Sequence, residues 1–236
     1  MYSQERRRID FVQAVRRIII PSPTEIVGWI AEYFAAHRRH TADILAGPKR
    51  ENWFSSESFV ALSLQAKPHP DHPLLPAFSC WGEQEFGTIF KLIAAKRGGG
   101  DHRRKPDIVC YRPVDGIEAV STVIEIKLVR NDENPEPCLN ELKEQLSNAR
   151  LLFSDADLLG LVFLAAAPFT TPRTWESASK RLNSAIASCF PRSGCIATPG
   201  SISIFEMVPT QFHYPEMYVS LEIASVTYSS SCGVRQ

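Results

Sequence analysis

The sequence predicts an α/β fold, a mixed central sheet flanked by helices, and three observations carry that prediction. Residues 105–129, KPDIVCYRPVDGIEAVSTVIEIKLV, are two runs of β-branched and apolar residues joined by a turn signal, which reads as a hairpin. The continuous apolar run DLLGLVFLAAAPF, residues 157–169, reads as a strand that can be covered on both faces. Around it, residues 136–153 and 171–188 carry the signals of helices.

The elements follow in order. Ile9, Phe11, Val12, Val15, Ile18 and Ile19 recur at helical spacing with arginines opposite, so residues 4–20 should form an amphipathic helix. Ser22-Pro23-Thr24-Glu25 supplies an N-cap serine, a first-position proline and a glutamate at the third position, starting a helix that runs to the high thirties. A third helix is expected over about 52–65, with Trp53, Glu57, Val60 and Leu64 sharing one face, so that a glutamate is set into an apolar stripe. KPHPDHPLLP cannot be regular structure, and its His69 and His72 belong to an irregular loop rather than a metal pair. AFSCW and TIFKLIAAK read as hairpin strands around GEQEFG, and RGGGDHRRK as a glycine-rich basic loop. After the polar RNDENPEP, Leu139, Leu142, Leu146, Ala149 and Phe153 mark the next helix; Thr171-Pro172 opens another. SISIFEMV and MYVSLEIASVTY are closing strands, and SSSCGVRQ a loose tail.

At 236 residues, 44% hydrophobic and 22% charged, the chain suits one sizeable domain with additions, or at most two small ones. The expected division is a helical N-terminal extension over 1–50, a core over 51–170, and a C-terminal helix and strand addition over 171–236 packing on that core. Lys plus Arg and Asp plus Glu both total 26, so any nucleic-acid contact must be local rather than driven by net charge. No apolar run approaches the ~18 residues of a membrane span, so no membrane partner is expected. Six cysteines without a CxxC pair, and no apolar leader after the basic start, point to reduced thiols in the cytoplasm. Dinucleotide fingerprint, P-loop and nucleophile elbow are all missing.

The hairpin holds the chemistry. Side chains alternate along a strand, so Ile124, Ile126 and Leu128 share one face while Val123, Glu125, Lys127 and Val129 share the other. Asp107, Val109 and Tyr111 likewise oppose Ile108 and Cys110. A symmetric turn centred on Gly116 would pair Asp107 with Glu125, with Cβ atoms only ~5 Å apart. Two carboxylates that close repel unless a cation lies between them, and hard oxygen ligands suit Mg²⁺ or Mn²⁺. Lys127 would lie beside the metal-bound water, placed to orient or deprotonate it and to stabilise charge on a phosphate.

Pro106-Asp107, then Glu125-Ile126-Lys127 after a short hairpin, resembles the PD-(D/E)XK nuclease superfamily, the restriction-endonuclease-like fold. The resemblance covers about residues 51–169 and includes the order of elements: a helix bearing a glutamate, a three-strand meander, a helix and a further strand (αβββαβ). It implies that Asp107 and Glu125 are metal-binding acids, that the Ile126 carbonyl is a further ligand, and that Lys127 is the catalytic lysine. It also implies that Glu57 is the acid on the first helix, with Glu51, Glu83 or Glu85 as alternatives. The implied reaction is metal-dependent hydrolysis of a phosphodiester by water, with DNA expected ahead of RNA. Glu141-Leu142-Lys143 repeats the Glu-x-Lys triplet, but on a helix, where it reads as a solvated face.

Lys96, Arg97, Arg103, Arg104 and Lys105 form a basic loop suited to phosphates. Some branches of the resembled superfamily place a glutamine near substrate, a role that would fall to Gln145; a plain boundary residue is the competing reading. The main rival function is a catalytically inactive binding or assembly module on the same fold. A homodimer would place two sites on opposite strands of a duplex, although no repeat or coiled-coil pattern calls for one.

Overall fold

Segments that alternate apolar and polar residues, or stay apolar throughout, build one six-stranded mixed sheet with helices on both faces. The structure is a computed structural model that describes residues 21–47, 51–65, 78–82, 103–114, 117–166, 170–190, 200–210 and 217–228. Within these, the order is α1 (Pro23–Ala36), α2 (Arg38–Leu45), α3 (Glu51–Ser63), β1 (Ser79–Gly82), β2 (Ile108–Val114), β3 (Ile117–Arg130), α4 (Glu136–Leu152), β4 (Asp157–Ala165), α5 (Pro172–Cys189), β5 (Gly200–Pro209) and β6 (Tyr218–Tyr228). The expected helix over 4–20, the TIFKLIAAK strand, the proline-rich connector and the tail lie outside the described residues.

The sheet order is β1-β2-β3-β4-β6-β5. β1, β2 and β3 form an antiparallel meander, and α4 carries the chain over to β4, which pairs parallel to β3. β6 then pairs antiparallel to β4, with β5 outside it, so the C-terminal strands continue the sheet itself. Helix starts follow their caps. Ser22 accepts from the Glu25 backbone N–H while Glu25 accepts from that of Ser22, and Thr171 with Thr174 repeats the device at α5.

Each sheet face buries its own core. Ile108, Cys110, Ile124, Ile126, Leu128, Leu159, Leu161 and Phe163 meet α1, α2 and α3, where Ile26, Ile30, Phe34, Phe54 and Leu62 are buried. Val109, Val123, Val129, Leu158 and Val162 meet α4 and α5 through Leu139, Leu142, Leu146, Trp175 and Leu182. β3 and β4 are thus covered on both sides, as the alternation and the continuous apolar run predict. Among the described residues no helix is long and apolar enough to cross a membrane.

The face of α3 differs from the expected stripe. Phe54, Ser55, Ser58, Ala61 and Leu62 are buried, whereas Val60 is 40% and Leu64 69% exposed. Apolar residues lie all round this helix, so spacing alone does not choose its inner face. Ser55, turned inward to the Asp107 carboxylate, is the polar contact that marks it.

At Gly160, beside Glu125 in the β3–β4 pairing, a Cβ would sit 3.0 Å from one Leu142 methyl carbon and 3.1 Å from one of Leu146. Glycine there lets α4 lie close on the sheet. Gly160→Val adds bulk to a filled space and should destabilise the fold by about 1–3 kcal/mol. A urea titration should show a lower midpoint at unchanged slope.

Candidate active site

β3 is 14 residues long and β2 only 7, and their pairing ends at Ile108 with Ile124. Beyond that point, among the described residues, alternate N–H groups of β3 face an edge with no strand to receive them. Acidic side chains receive them instead. The Ile126 N–H donates to Asp107 Oδ2 at 2.7 Å, the Leu128 N–H to Glu51 Oε2 at 3.1 Å, and the Arg130 N–H to Glu133 Oε2 at 3.0 Å. A loop end, the first turn of α3 and the turn after β3 are thereby tied to one strand edge.

Continuing the β2–β3 register by one residue sets Asp107 opposite Glu125. The route differs from a symmetric turn at Gly116, because Val114 pairs with Ile117 and a bulge between Cys110 and Tyr111 then restores the register by one. Ser121 is the extra residue, and its hydroxyl donates to the Cys110 carbonyl at 3.1 Å.

The two acids are held crosswise. Asp107 accepts from the Ile126 N–H and, at 2.8 Å, from the Ser55 hydroxyl, while the Asp107 backbone N–H is directed at the Glu125 carboxyl. Glu125 is only 4% exposed. Burial pushes its carboxyl up to about 8; the Asp107 charge adds to the rise, and Lys127, Arg104 and the Asp107 N–H oppose it. Burial also raises Asp107, against the Ile126 and Ser55 hydrogen bonds and the Lys127 charge.

Lys127 is 5% exposed and points to the same face. Its ammonium meets Glu141 Oε1 at 2.7 Å and Glu51 Oε1 at 3.5 Å. Desolvation works to lower its pKa, but the Glu141 hydrogen bond with the Glu51, Glu141 and Asp107 charges outweighs it and raises the net value. Lys127 is therefore a charged group at neutral pH, suited to donating hydrogen bonds and poorly suited to being a base.

Asp107, Glu125 and Lys127 are brought together as expected, and Glu57 is not. Its carboxylate accepts from the Tyr33 hydroxyl at 2.5 Å, a bond that pushes Tyr33 up to about 12. Glu57 lies about 120° round α3 from Glu51, so the helix acid that reaches the site is Glu51. Glu141 lies on an exposed helix face as expected, its side chain 57% exposed, and yet it also holds Lys127. The pattern hides this role because α4 presents an ordinary run of exposed charges, and the partner of Glu141 lies on a different element.

The other candidates divide. Arg104 pairs with Glu144 at 2.6 Å, and one of its buried terminal nitrogens has no partner. Gln145 donates to Glu141 at 3.4 Å and leaves its buried Oε1 unpartnered, which places it at the border of the site. Arg103 and Lys105 are exposed; Lys96, Arg97, Glu83 and Glu85 lie outside the described residues.

Among the described residues no three His, Cys, Asp or Glu side chains are gathered as a metal-holding set. The other nearby carboxylates are committed, Glu141 to Lys127 and Glu51 to Lys127 and the Leu128 N–H. What remains is a pair of opposed hard-oxygen donors, each raised by burial, which is chemistry that a divalent cation relieves. The N–H and C=O of one strand residue point to the same edge, so the Ile126 carbonyl lies on the side of Asp107. The chain matches no family model, no curated protein and no solved structure.

Glu125 titrates near 4.5 when unfolded and near 8 when folded, so its stabilising contribution is complete below about 4.5 and lost as pH rises through about 8. In EDTA the wild-type melting temperature should fall across that window more steeply than that of Glu125→Gln. Parallel slopes in a calorimetric pH series would contradict this.

Proposed function

We propose that this chain is a divalent-metal-dependent nuclease that hydrolyses phosphodiester bonds of nucleic acid, DNA ahead of RNA, on a restriction-endonuclease-like core over about 51–170. The observation that carries the reading is the crosswise acid pair, partly buried Asp107 and buried Glu125, with Lys127 two residues along the same face. The run α3-β1-β2-β3-α4-β4 supports it, being the helix, meander, helix and strand of the PD-(D/E)XK superfamily that the motif resembles.

Asp107, Glu125 and the Ile126 carbonyl would hold Mg²⁺ or Mn²⁺. The cation supplies a Lewis acid for the phosphoryl oxygen and lowers the pKa of water. Lys127 does the work of a fixed positive charge. An ammonium has three donors; Glu141 and Glu51 engage two and leave one for a phosphate oxygen as charge builds. The same two carboxylates keep it charged and aimed. Arg104 brings an unpaired donor to the Glu125 side, where an incoming phosphate is the natural acceptor. With no net charge to attract a polyanion, such local groups, with the basic loop before Asp107, would provide the attachment. A cytoplasmic setting fits Cys80, Cys110, Cys138 and Cys189, all free thiols.

The two ion pairs of Lys127 favour a second reading, a catalytically silent nucleic-acid-binding or assembly module. Incubation with labelled DNA and RNA, single- and double-stranded, in Mg²⁺, Mn²⁺ or EDTA separates the two. Metal-dependent cleavage is expected, with Asp107→Asn and Glu125→Gln reducing it at least about 100-fold and Lys127→Ala about 100- to 1,000-fold. Glu57→Gln should stay close to wild type. Binding without cleavage in any metal would leave the silent module.

A further inference from the structure

Beside Asp107 the surface opens into a cavity of about 410 Å³, lined by Ser55, Ser56, Phe59, Val60, Gly82 and Asp107. Most of these residues take no part in holding the acid pair. The cavity lies between α3 and the end of β1 and shares Asp107 with the proposed reaction centre, so whatever fills it lies next to the scissile phosphate.

Its walls choose the occupant. Phe59 and the 40%-exposed Val60 form an apolar side. The polar side offers acceptors: the oxygens of Asp107, whose backbone carbonyl lies at Gly82, the Ser55 oxygen, whose proton is committed to Asp107, and the Ser56 oxygen, whose proton goes to the Asn52 carbonyl at 2.9 Å. Acceptors repel a phosphate and receive the N–H groups of an exocyclic amine. The volume is at the low end of the ~300–1,000 Å³ of small-molecule sites, enough for one nucleoside. A duplex, with a major groove alone ~12 Å wide, is excluded.

We propose that this cavity receives one unpaired, amino-bearing nucleobase of the substrate, stacked against Phe59, so that the site acts on single-stranded or locally unpaired nucleic acid. This rests on the nuclease reading for its choice of ligand. A paired base cannot reach the cavity, because pairing and stacking hold it inside a duplex too wide to enter and leave neither of its faces for Phe59. Adenine, cytosine and guanine carry the required donor, and thymine does not.

Gly82 provides the test. A Cβ there would meet the Asp107 carbonyl at 3.7 Å and the Phe59 ring at 3.8 Å, ordinary contacts, so Gly82→Val fills the cavity without forcing the backbone apart. In EDTA, a single 2-aminopurine in a short single-stranded oligonucleotide should be quenched on binding, and the same probe base-paired in a duplex should not. Gly82→Val should weaken single-strand affinity by roughly 5- to 150-fold, the range that base–ring stacking gives, and abolish the quench. Phe59→Leu, which keeps apolar volume and loses the ring, should do likewise, and an all-thymine oligonucleotide should bind more weakly than an adenine one. Unchanged affinity and quench in both variants, or equal quench with the duplex, would overturn the proposal. A parallel cleavage assay in Mg²⁺ keeps the two readings apart: cleavage indifferent to Gly82 and Phe59 leaves the nuclease and removes the base site, and a Phe59-dependent quench without cleavage does the reverse.

Discussion

A strand that outlasts its neighbour leaves amide hydrogens which must find acceptors, because a buried N–H without one costs as much as a lost hydrogen bond. In β3 those acceptors are the carboxylates of Asp107, Glu51 and Glu133. Much else follows. The requirement fixes where the chain enters β2, which turn of α3 touches the sheet, and how the chain leaves β3 for α4. It also gathers negative charge along a few residues of one edge, where Glu125 adds another buried acid and Lys127 is the cation that answers it. Burying such a group is expensive unless it is paired. The fold therefore carries, at the end of its central strand, a polar assembly that a packed hydrophobic edge would stabilise better.

Much of this was legible in the sequence, and the limits have physical causes. The alternation over residues 122–129 assigned both faces of β3 correctly, since a two-residue period leaves no freedom once one face is apolar. The opposition of Asp107 and Glu125 was reached by a turn geometry that the chain does not use; the bulge at Ser121 compensates for it. α3 was harder. With Trp53, Phe54, Phe59, Val60, Leu62 and Leu64 spread around its circumference, no single stripe stands out, and its orientation is decided by Ser55 meeting Asp107 and by Glu51 meeting a distant strand. Contacts across 52 and 77 positions of sequence have no local signature.

Glu141 shows the same limit from the other side. On its own helix it is one exposed charge among several, and nothing nearby marks it. Its role comes from packing: Leu142 and Leu146 lie close over Gly160, and Lys127 on the neighbouring strand reaches up to Glu141.

The bulge in the hairpin makes the spacing of the chain part of the chemistry. From Val114 and Ile117 the two strands run in a register that, left alone, would bring Asp107 across from Ile124, on the face that belongs to the apolar core. The single extra residue at Ser121 moves it across from Glu125. The acid pair is consequently encoded by a residue count as much as by residue identity, and a chain that kept both acids and the lysine while losing one position between them would turn Asp107 away from its partner. Any relative of this protein has to be judged by the distance along the chain between its acids, read together with the bulge, before the acids themselves.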